Sequence, residues 1–295
     1  MIRVILLGRT GNNLFQYAFG RALTERHGVP MVLDGAWYDN RTWRGVSALN
    51  RLPIRGTIQR QWSLASRLLL KATGRHMHQS KFKALVAEPM ANHQFNPDYL
   101  QSPAECLVKG YFQSYLYFQH LESELRQELS MSGLPWSHAT CRMADRLQRE
   151  NSVAIHVRRT DYIGNPDVSV CDIGYYHRAI EKLRSRHQSL SFHVFSDDPA
   201  WCKQNFSGSR FEVHAFPEAT RDPLHDLYLM SCAHHHIICN SSYSWWAAWL
   251  ARHPSQEVMM PDRWYASGIH APIAEKQCAG WEIIPGMSSH DKSPN

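Results

Sequence analysis

Residues 153–164 read Val-Ala-Ile-His-Val-Arg-Arg-Thr-Asp-Tyr-Ile-Gly. The apolar run at 153–155 predicts a buried strand. Charged residues follow this run at once: His156, Arg158, Arg159 and Asp161. Because adjacent side chains of a strand point to opposite faces, two consecutive arginines cannot both be left on a packed sheet, and the strand must end there. The stretch therefore predicts a strand that delivers cationic side chains to the edge of a sheet.

Ligands of α/β proteins bind at the carboxyl ends of the strands. An arginine at such an end offers a planar fork of donors that matches the oxygens of a phosphate in pairs. The alternative interpretation is structural: a salt-bridged turn in which Asp161 neutralises one arginine. The motif alone leaves both interpretations open.

The first half of the chain opens with a βαβ pattern. A strand at Arg3–Leu7, a helix at Asn12–His27 and a strand at Met31–Asp34 imply a parallel sheet. An irregular middle at 35–105 follows, and then a strand at 107–112 and a helix at 115–129. We expect this half to form one α/β domain.

The second half also alternates strands with helices. The predicted strands lie at 153–157, 192–195, 211–215, 236–239 and 257–261, and the predicted helices lie at 175–187, 201 onward, 226–233 and 244–251. A length of 295 residues suits two domains of ordinary size. We predict two Rossmann-like domains facing a cleft. Their predicted limits are 1–135 and 136–287, with the linker at Ser130–Ser137 and a polar tail at 288–295.

The net charge of +6 is concentrated in a basic insertion at 40–87, which holds ten lysines and arginines and no acidic residue. A helix at Ile58–Thr73 with an apolar side is predicted within it. Such a helix can lie on an anionic membrane surface, or it can pack on the core with a solvated basic face. No nucleic-acid motif accompanies the charge, so no nucleic-acid partner is expected.

The seven cysteines include no Cys-x-x-Cys pair, which favours free thiols in a reducing compartment. No segment approaches the ~18 uninterrupted apolar residues of a membrane span. The N-terminus has no signal-peptide core. We expect a cytoplasmic protein.

Three apolar strands are each followed by a polar turn and a helix. The first turn contains Gly11 and Asn12, the second is Ser196-Asp197-Asp198, and the third is Asn240-Ser241-Ser242-Tyr243-Ser244. Glycines and helix N-termini favour an anionic ligand. The paired aspartates could hold Mg²⁺ or accept hydrogen bonds from a nucleotide, while Asp198-Pro199 also fits a helix cap. For the run His234–His236, a position at a helix end or strand start is favoured over metal binding.

Five segments in order resemble the bacterial α-1,2-fucosyltransferases of glycosyltransferase family 11. They are the Gly-x-x-Gly-Asn-x-x-Phe-Gln-Tyr-Ala turn at 8–18, Lys-Gly-Tyr-Phe-Gln-Ser at 109–114, His-x-Arg-Arg-x-Asp-Tyr at 156–162, Phe-Ser-Asp-Asp at 195–198 and Asn-Ser-Ser-Tyr-Ser-Trp-Trp at 240–246. The resemblance covers nearly the whole chain. Asn13 stands where the family usually has glutamine.

The resemblance implies a GT-B fold that binds GDP-fucose mainly in the C-terminal domain and the acceptor mainly in the N-terminal one. It implies a galactoside 2-α-L-fucosyltransferase that inverts the β-linked donor to an α-linkage. Neither a cofactor nor a metal is expected, because arginines stabilise the charge that departing GDP concentrates on its β-phosphate. Arg158 is the predicted stabiliser, and Arg159 supports it or braces the site.

Other roles are carried over in the same way. Asp197 is assigned to the base or ribose, and His156 to orienting the nucleotide or fixing the strand end. Asp161 is placed with the catalytic residues, but an arginine partner makes it a poor general base, and the base is left unassigned. The remaining predicted donor-binding residues are Gly11, Asn12, Ser196, Asn240, Ser241, Ser242 and Ser244. The predicted acceptor-side residues are Tyr111, Gln113 and Asp34.

The expected acceptor is a galactose-terminated, lipid-linked oligosaccharide of O-antigen or another surface polysaccharide. A peripheral contact with the inner membrane is expected through the basic insertion. The competing hypotheses are fucose transfer in another linkage (α-1,6 or protein O-linked) and a non-catalytic nucleotide-sugar-binding protein. A dinucleotide oxidoreductase is disfavoured, because the turn after the first strand lacks the third glycine of the fingerprint.

Overall fold

The computed structural model of the chain describes residues 1–35, 48–59, 82–215, 222–266 and 269–286. The chain divides into two units, Met1–Ser130 and Met131–Asn295. The division falls at the start of the segment that the sequence predicts as the linker. Among the described residues, no helix combines the length and the apolar character needed to cross a bilayer.

The first unit contains a five-stranded parallel sheet in the order β3-β2-β1-β5-β4. Its strands are β1 (Ile2–Ile5), β2 (Met31–Asp34), β3 (Thr57–Gln59), β4 (Ala84–Ala87) and β5 (Cys106–Lys109). The predicted βαβ unit is confirmed. Its helix α1 (Thr10–His27) ends at Gly28, whose left-handed φ of 61° lets its N–H reach the carbonyl of Thr24 at 2.9 Å.

One prediction for the middle of this unit is wrong, and a second is contradicted at its first two residues. The segment at 35–105 is not irregular throughout, because it contains β3 and β4, strands of three and four residues that are too short to show an alternating pattern. It also contains 3₁₀ turns at Ala48–Arg51 and Pro97–Gln101. The predicted helix at 58–73 starts inside β3, and the rest of it lies outside the described residues.

The predicted helix at 115–129 is wrong in its first half. Tyr115–Tyr117 and Gln119–Leu121 form 3₁₀ turns, and helix α2 (Glu122–Glu128) begins only after them. The reason is aromatic packing: the ring of Tyr117 lies edge-on to Phe19 at 5.0 Å, and Phe118 lies 5.9 Å from Phe15. Burial of these rings outweighs a weak helix preference.

The second unit contains a six-stranded parallel sheet in the order β11-β10-β9-β6-β7-β8. Its strands are β6 (Ser152–Val157), β7 (Ser191–Ser196), β8 (Phe211–His214), β9 (His235–Ile237), β10 (Val258–Pro261) and β11 (Trp281–Ile284). Its helices are α3 (His138–Arg149), α4 (Ile173–Arg184), α5 (Pro199–Asn205), α6 (Pro223–Ser231) and α7 (Ser242–Leu250), with a 3₁₀ turn at Ile273–Glu275. The predicted alternation is confirmed, although α3 and β11 were not predicted.

Strand order reverses once in each sheet. In the first unit β2 and β3 lie on one side of β1, while β5 and β4 lie on the other. In the second unit β7 and β8 lie on one side of β6, while β9, β10 and β11 lie on the other. Ligands of open α/β sheets bind at the carboxyl ends of the strands where the order reverses. The expected binding places are therefore the loops after β1 and β5, and those after β6 and β9.

The first unit is also held by a buried carboxylate on α2. Glu128 accepts hydrogen bonds from Arg21 Nε at 2.9 Å and from the Tyr17 hydroxyl at 2.5 Å. The Arg21 side chain is only 4% exposed. Removal of Glu128 would therefore leave a buried guanidinium without its main partner.

We expect Glu128→Ala to lower the free energy of unfolding by about 3–5 kcal/mol, because it breaks a buried ion pair. The matched control is Glu122→Ala on the same helix, which removes a surface pair with Arg126 at 2.9 Å and should cost less than about 1 kcal/mol. Urea titrations of the three proteins measure the difference. Equal losses in both variants would contradict the assignment.

Candidate active site

The carboxyl end of β6 carries a guanidinium held by two carboxylates. Arg158 donates from Nε to Asp161 Oδ1 at 2.7 Å and from Nη2 to Asp161 Oδ2 at 2.8 Å. Its Nη1 lies 3.2 Å from Asp197 Oδ2. The side chain of Asp161 is 43% exposed and that of Asp197 is 11% exposed. Asp161 is therefore the partner that an incoming anion can replace at lower cost.

Asp197 braces the turn that follows β6. Its oxygens accept hydrogen bonds from the N–H of Arg159 at 2.9 Å, from the N–H of Thr160 at 3.2 Å and from the Thr160 hydroxyl at 2.6 Å. Burial alone would raise the pKa of Asp197, but the charge of Arg158 and these hydrogen bonds hold the pKa below its usual value. The carboxylate is thus ionised and engaged by the turn. Its predicted contact with a nucleotide base or ribose stays a prediction.

Arg159 packs against the start of α5. Its Nε lies 3.2 Å from Asp198 Oδ2, and its guanidinium carbon lies 4.0 Å from the centre of the Trp201 ring. Asp198 also accepts a hydrogen bond from the N–H of Trp201 at 3.1 Å, with Pro199 at the first helical position. The predicted cap of this helix is confirmed. In this structure Arg159 braces the site.

Sequence reasoning did not single out two of these bracing residues, Thr160 and Trp201. Thr160 lies inside the charged motif, but nothing in its pattern shows that it bonds to a carboxylate on the neighbouring strand. Trp201 occupies the first turn of a helix whose cap was predicted. The position of Trp201 in that first turn is the signal that could have indicated a contact between its ring and Arg159.

Asn240 joins the loops around this site. Its Nδ2 donates to the carbonyls of Val168 and Trp264, both at 2.9 Å, and its own carbonyl accepts from the Tyr162 hydroxyl at 3.1 Å. Asn240 is buried. It therefore connects the segment after β6 with the segments after β9 and β10. Its predicted contact with the donor stays a prediction.

The three predicted serines lie at the start of α7. Ser241 is the cap, and its Oγ accepts from the N–H of Tyr243 at 3.3 Å. Ser244 is buried and donates to the carbonyl of Ser241 at 3.3 Å. Ser242 is the first residue of the helix and is half-buried. Because β9 is the neighbour of β6, this helix N-terminus offers N–H groups at the point where strand order reverses.

His156 and Ser196 lie at the ends of neighbouring strands and are both buried. His156 Nδ1 lies 3.2 Å from the sulfur of Cys239. Burial raises the pKa of the Cys239 thiol to about 12, so the thiol is neutral and available as a donor. Ser196 Oγ accepts from the N–H of Asp198 at 2.9 Å. These contacts fix the strand ends, which is one of the two predicted roles of His156.

The first unit brings two predicted residues into contact. Gln113 Nε2 donates to Asn12 Oδ1 at 2.7 Å, which links the loop after β5 to the loop after β1. Gly8 has a left-handed φ of 73°, and a Cβ at this position would lie 2.3 Å from Asn12 Nδ2. Glycine is therefore required for Asn12 to lie over the turn. Gly11 is buried in the first turn of α1.

Two further buried residues hold these loops and were not predicted as site residues. Gln16 donates from Nε2 to the carbonyl of Gly110 at 2.8 Å. Glu88 accepts hydrogen bonds from the N–H of Tyr111 at 2.8 Å and of Phe112 at 3.0 Å. Phe112 has a left-handed φ of 49°, which is strained for a bulky residue and persists only where the surroundings fix it. Gln16 lies within the motif at 8–18, whereas no pattern in the sequence indicates a role for Glu88.

Asp34 is enclosed by an ion pair. Its Oδ2 lies 3.2 Å from Arg3 Nη1, and its side chain is 0% exposed. Asp34 therefore has a structural role at the end of β2. Its predicted place on the acceptor side stays a prediction.

The histidine run opens strand β9, which matches the predicted strand start. His236 is enclosed, with its Nε2 2.8 Å from the carbonyl of Met230 and its Nδ1 3.1 Å from Gln256 Nε2. Burial lowers the pKa of His236 to about 4. The imidazole is thus neutral in the folded protein at neutral pH.

This burial predicts an acid-dependent loss of stability. Below pH 6.5 the unfolded chain protonates His236 while the folded chain does not, so the free energy of unfolding falls as the pH falls toward about 4. His236 contributes about 2 kcal/mol of loss between pH 7 and pH 5. Urea unfolding at the two pH values should show a loss that is smaller by this amount in His236→Gln. An unchanged pH dependence in the variant would contradict the assignment.

The second unit thus assembles a guanidinium, a helix N-terminus and small polar groups at one sheet edge. The side chain of Arg158 is only 17% exposed, so its charge acts in a medium of reduced dielectric constant. Such an arrangement can bind a diphosphate and stabilise charge that develops on it.

Comparisons with known proteins agree with this chemistry. The family described as glycosyl transferase family 11 matches residues 75–284. An α-1,2-colitosyltransferase of Escherichia coli is 30% identical over 269 residues, which cover 88% of this chain and 91% of that protein. The O-antigen biosynthesis glycosyltransferase WbnK of Escherichia coli is 35% identical over 124 residues, covering 40% and 41%. The galactoside 2-α-L-fucosyltransferase SEC1 of Bos taurus is 29% identical over 177 residues, covering 55% and 48%.

The fold resembles a solved fucosyltransferase. The crystal structure of NodZ from Bradyrhizobium superposes with a TM-score of 0.53 at 13% identity, over 83% of this chain and 91% of that one. Together with the two parallel sheets, this likeness confirms the predicted α/β class of GT-B type.

Proposed function

Because the chain belongs to glycosyltransferase family 11, we propose that it transfers L-fucose from GDP-β-L-fucose to the 2-hydroxyl of a β-galactoside, with inversion at the fucose anomeric carbon. The observation that carries this proposal is the position of Arg158 at the carboxyl end of β6, whose neighbouring strand β9 leads to the N-terminus of α7. In the transfer, the bond between the anomeric carbon and the β-phosphate oxygen breaks as the galactose oxygen bonds to the opposite face of that carbon. The bonding electron pair leaves with GDP, and the hydroxyl proton of the acceptor is released to solvent.

Arg158 binds the β-phosphate in this proposal. Its Nε and Nη2 present the two parallel donors that a phosphate needs, and Asp161 occupies both of them in the present structure. Donor binding therefore exchanges the exposed carboxylate of Asp161 for phosphate oxygens, while the contact with Asp197 remains. The exchange keeps the guanidinium neutralised and oriented, so it is in place when the leaving group gains charge.

The other predicted residues have supporting roles in the proposed reaction. In this proposal the N–H groups at the start of α7 bind the diphosphate together with Ser242. Gln113 belongs to the first unit, for which we propose the acceptor, and it donates a hydrogen bond to Asn12, for which we propose a contact with the donor. Catalysis in this proposal requires no metal, because a guanidinium and helix N–H groups supply the positive charge. The general base is unassigned.

The donor sugar has a second candidate. The Escherichia coli relative that matches this chain over 269 residues is named a colitosyltransferase. Colitose is L-fucose without its 3-hydroxyl. A site built to hydrogen-bond that hydroxyl rejects the analogue by about 10⁴-fold, whereas a site that does not contact it accepts both sugars. The relative rates with the fucose donor and the colitose donor therefore distinguish the two candidates.

For the biological setting we propose O-antigen or another surface polysaccharide, with a galactose-terminated oligosaccharide on a lipid carrier as acceptor. Supporting this is the similarity to WbnK, which is named for O-antigen biosynthesis. Cytoplasmic placement and a peripheral membrane contact through the basic insertion are parts of the same proposal. Most of that insertion lies outside the described residues.

The test is release of GDP from GDP-fucose or GDP-colitose, with a panel of β-galactosides, in the presence of EDTA. We expect release that depends on acceptor, prefers GDP-fucose and is unchanged by EDTA. A preference for GDP-colitose would show that GDP-colitose, and not GDP-fucose, is the donor. A requirement for added Mg²⁺ would contradict the metal-independent mechanism, and no acceptor-dependent release from either donor would contradict the proposal.

A further inference from the structure

One face of the second sheet carries two histidines and a carboxylate near its edge, beside Phe195. Phe192 and Val194 of β7 belong to the hydrophobic core cluster beneath α4, so His193 between them points to the opposite face. The register pairs His193 with Glu212, and Phe195 with His214 on β8. This arrangement places both histidines and Glu212 on the same face, at the edge strand of the sheet.

The spacing of these groups matches that of metal ligands. His193 Nδ1 and His214 Nε2 share a hydrogen bond of 3.2 Å, which a bound ion would replace. Nitrogens at this spacing can both bond to one ion at about 2.1 Å with an angle near ~100° between the bonds. The ligand atoms of His193, His214 and Glu212 all lie within 4.8 Å of one another. Three protein ligands with an open fourth position form a common type of metal site.

The second nitrogen of His193 supports the same interpretation. His193 is 2% exposed, and among the described residues its Nε2 has no hydrogen-bond partner. The nearest carboxylate oxygen is Glu150 Oε2 at 3.5 Å. A histidine that ligates a metal through one nitrogen commonly donates from the other to a carboxylate, which orients the ring. Glu150 is placed for that role.

A side-chain cation already lies among these groups. Arg146 of α3 contacts Glu212 through Nη2, and the same atom lies 3.4 Å from His193 Nδ1. The Arg146 side chain is 41% exposed, so its guanidinium can turn toward solvent. The guanidinium thus lies where a metal ion would bind. It competes with that ion for Glu212 and His193.

We propose that His193, His214 and Glu212 bind a divalent ion of the Zn²⁺, Co²⁺ or Ni²⁺ class, with Glu150 as the positioning residue for His193 and Arg146 as the competing cation. Imidazole nitrogens with one carboxylate suit this class of ion better than Mg²⁺ or Ca²⁺. The bound ion joins the edge strand β8 to β7 and stabilises the second unit. The inference is independent of the proposed sugar transfer.

A second group in the same unit serves as the internal control. His187, His235 and Glu257 also lie within reach of one another. There, His235 Nδ1 accepts from the N–H of Glu257 at 3.2 Å, and its Nε2 lies 3.0 Å from Asn151 Oδ1. Both ring nitrogens of His235 are therefore engaged, and we expect no metal at that group.

In the experiment the full chain is first freed of metal with EDTA and dialysed. It is then titrated with Co²⁺ and with Zn²⁺. Cobalt absorption and calorimetry report binding, and thermal unfolding reports stability. We expect one ion per chain and a rise in Tm of about 3–5 °C at saturation. His214→Ala should abolish both effects, and His187→Gln should change neither. Arg146→Gln leaves the ligands intact and removes the competitor, so it should tighten binding by about tenfold.

Three results would overturn the proposal. They are the absence of saturable binding even in Arg146→Gln, binding that persists in His214→Ala, and binding that is lost in His187→Gln. The arginine variant keeps the test decisive even if His214→Ala does not fold.

Discussion

Replacement of Arg158 by alanine is expected to lower kcat by about 10³-fold, because the departing diphosphate loses the guanidinium that stabilises its charge. The side chain of Arg158 is only 17% exposed, so no solvent cation replaces it efficiently. Arg158→Lys keeps the charge but not the planar pair of donors, and we expect an intermediate activity. Initial rates at saturating GDP-fucose, with folding checked by thermal unfolding, measure the effect.

The matched control is Arg184→Ala. Arg184, like Arg158, pairs with a carboxylate three residues away in the second unit: its Nη1 lies 3.0 Å from Glu181 Oε1. It lies on the last turn of α4 and has no place in the proposed site. We expect this variant to retain wild-type rates. Arg158→Ala with a rate close to that of the control would contradict the proposed role.

Replacement of Asp197 by alanine is expected to lower kcat/KM for the donor by about 10²-fold, since misplacement of a catalytic group has effects of this size. Asp197 receives hydrogen bonds from Arg159 and Thr160 and contacts the guanidinium of Arg158. Without the carboxylate, the turn after β6 loses the acceptor that fixes it. Steady-state kinetics with varied GDP-fucose measure the loss.

A general loss of stability must be separated from this effect. Asp172→Ala removes a half-buried aspartate of the same unit that caps α4, accepting from the N–H of Tyr175 at 2.7 Å. A lost cap costs about 1 kcal/mol of stability. We expect Asp172→Ala to lower Tm while leaving kcat/KM unchanged. If Asp172→Ala and Asp197→Ala lose activity equally, Asp197 acts only through stability and the positioning role is wrong.

The fold was predictable where strands are buried and are followed by a helix. Strands β6, β7 and β9 are runs of buried residues bounded by polar turns, and the helices after β7 and β9 begin with capping aspartate and serine side chains. Strands β3 and β4 were not predicted because they are short and show no alternation of apolar and polar residues. Helix α3 was not predicted, although the side chain of Ser137 caps it by accepting a hydrogen bond from the N–H of Thr140.

The site was predictable in its residues but not in its contacts. The motif at 156–162 and the Asp197-Asp198 pair were identified from the sequence, and the structure brings them within hydrogen-bond distance. The sequence does not reveal that Asp197 binds the main-chain N–H groups of the turn, since every residue except proline has such a donor. Glu88 was missed for the same reason, because its partners include the main-chain N–H groups of Tyr111 and Phe112.

The most direct test of the proposed function is the structure of the product. The protein is incubated with GDP-fucose and a β-galactoside, and the purified product is examined by NMR for the anomeric configuration and for a correlation between fucose H1 and galactose C2. The proposal predicts a single α-linked fucose on the 2-hydroxyl. A β-linked fucose, or attachment to any other hydroxyl of the acceptor, would contradict it.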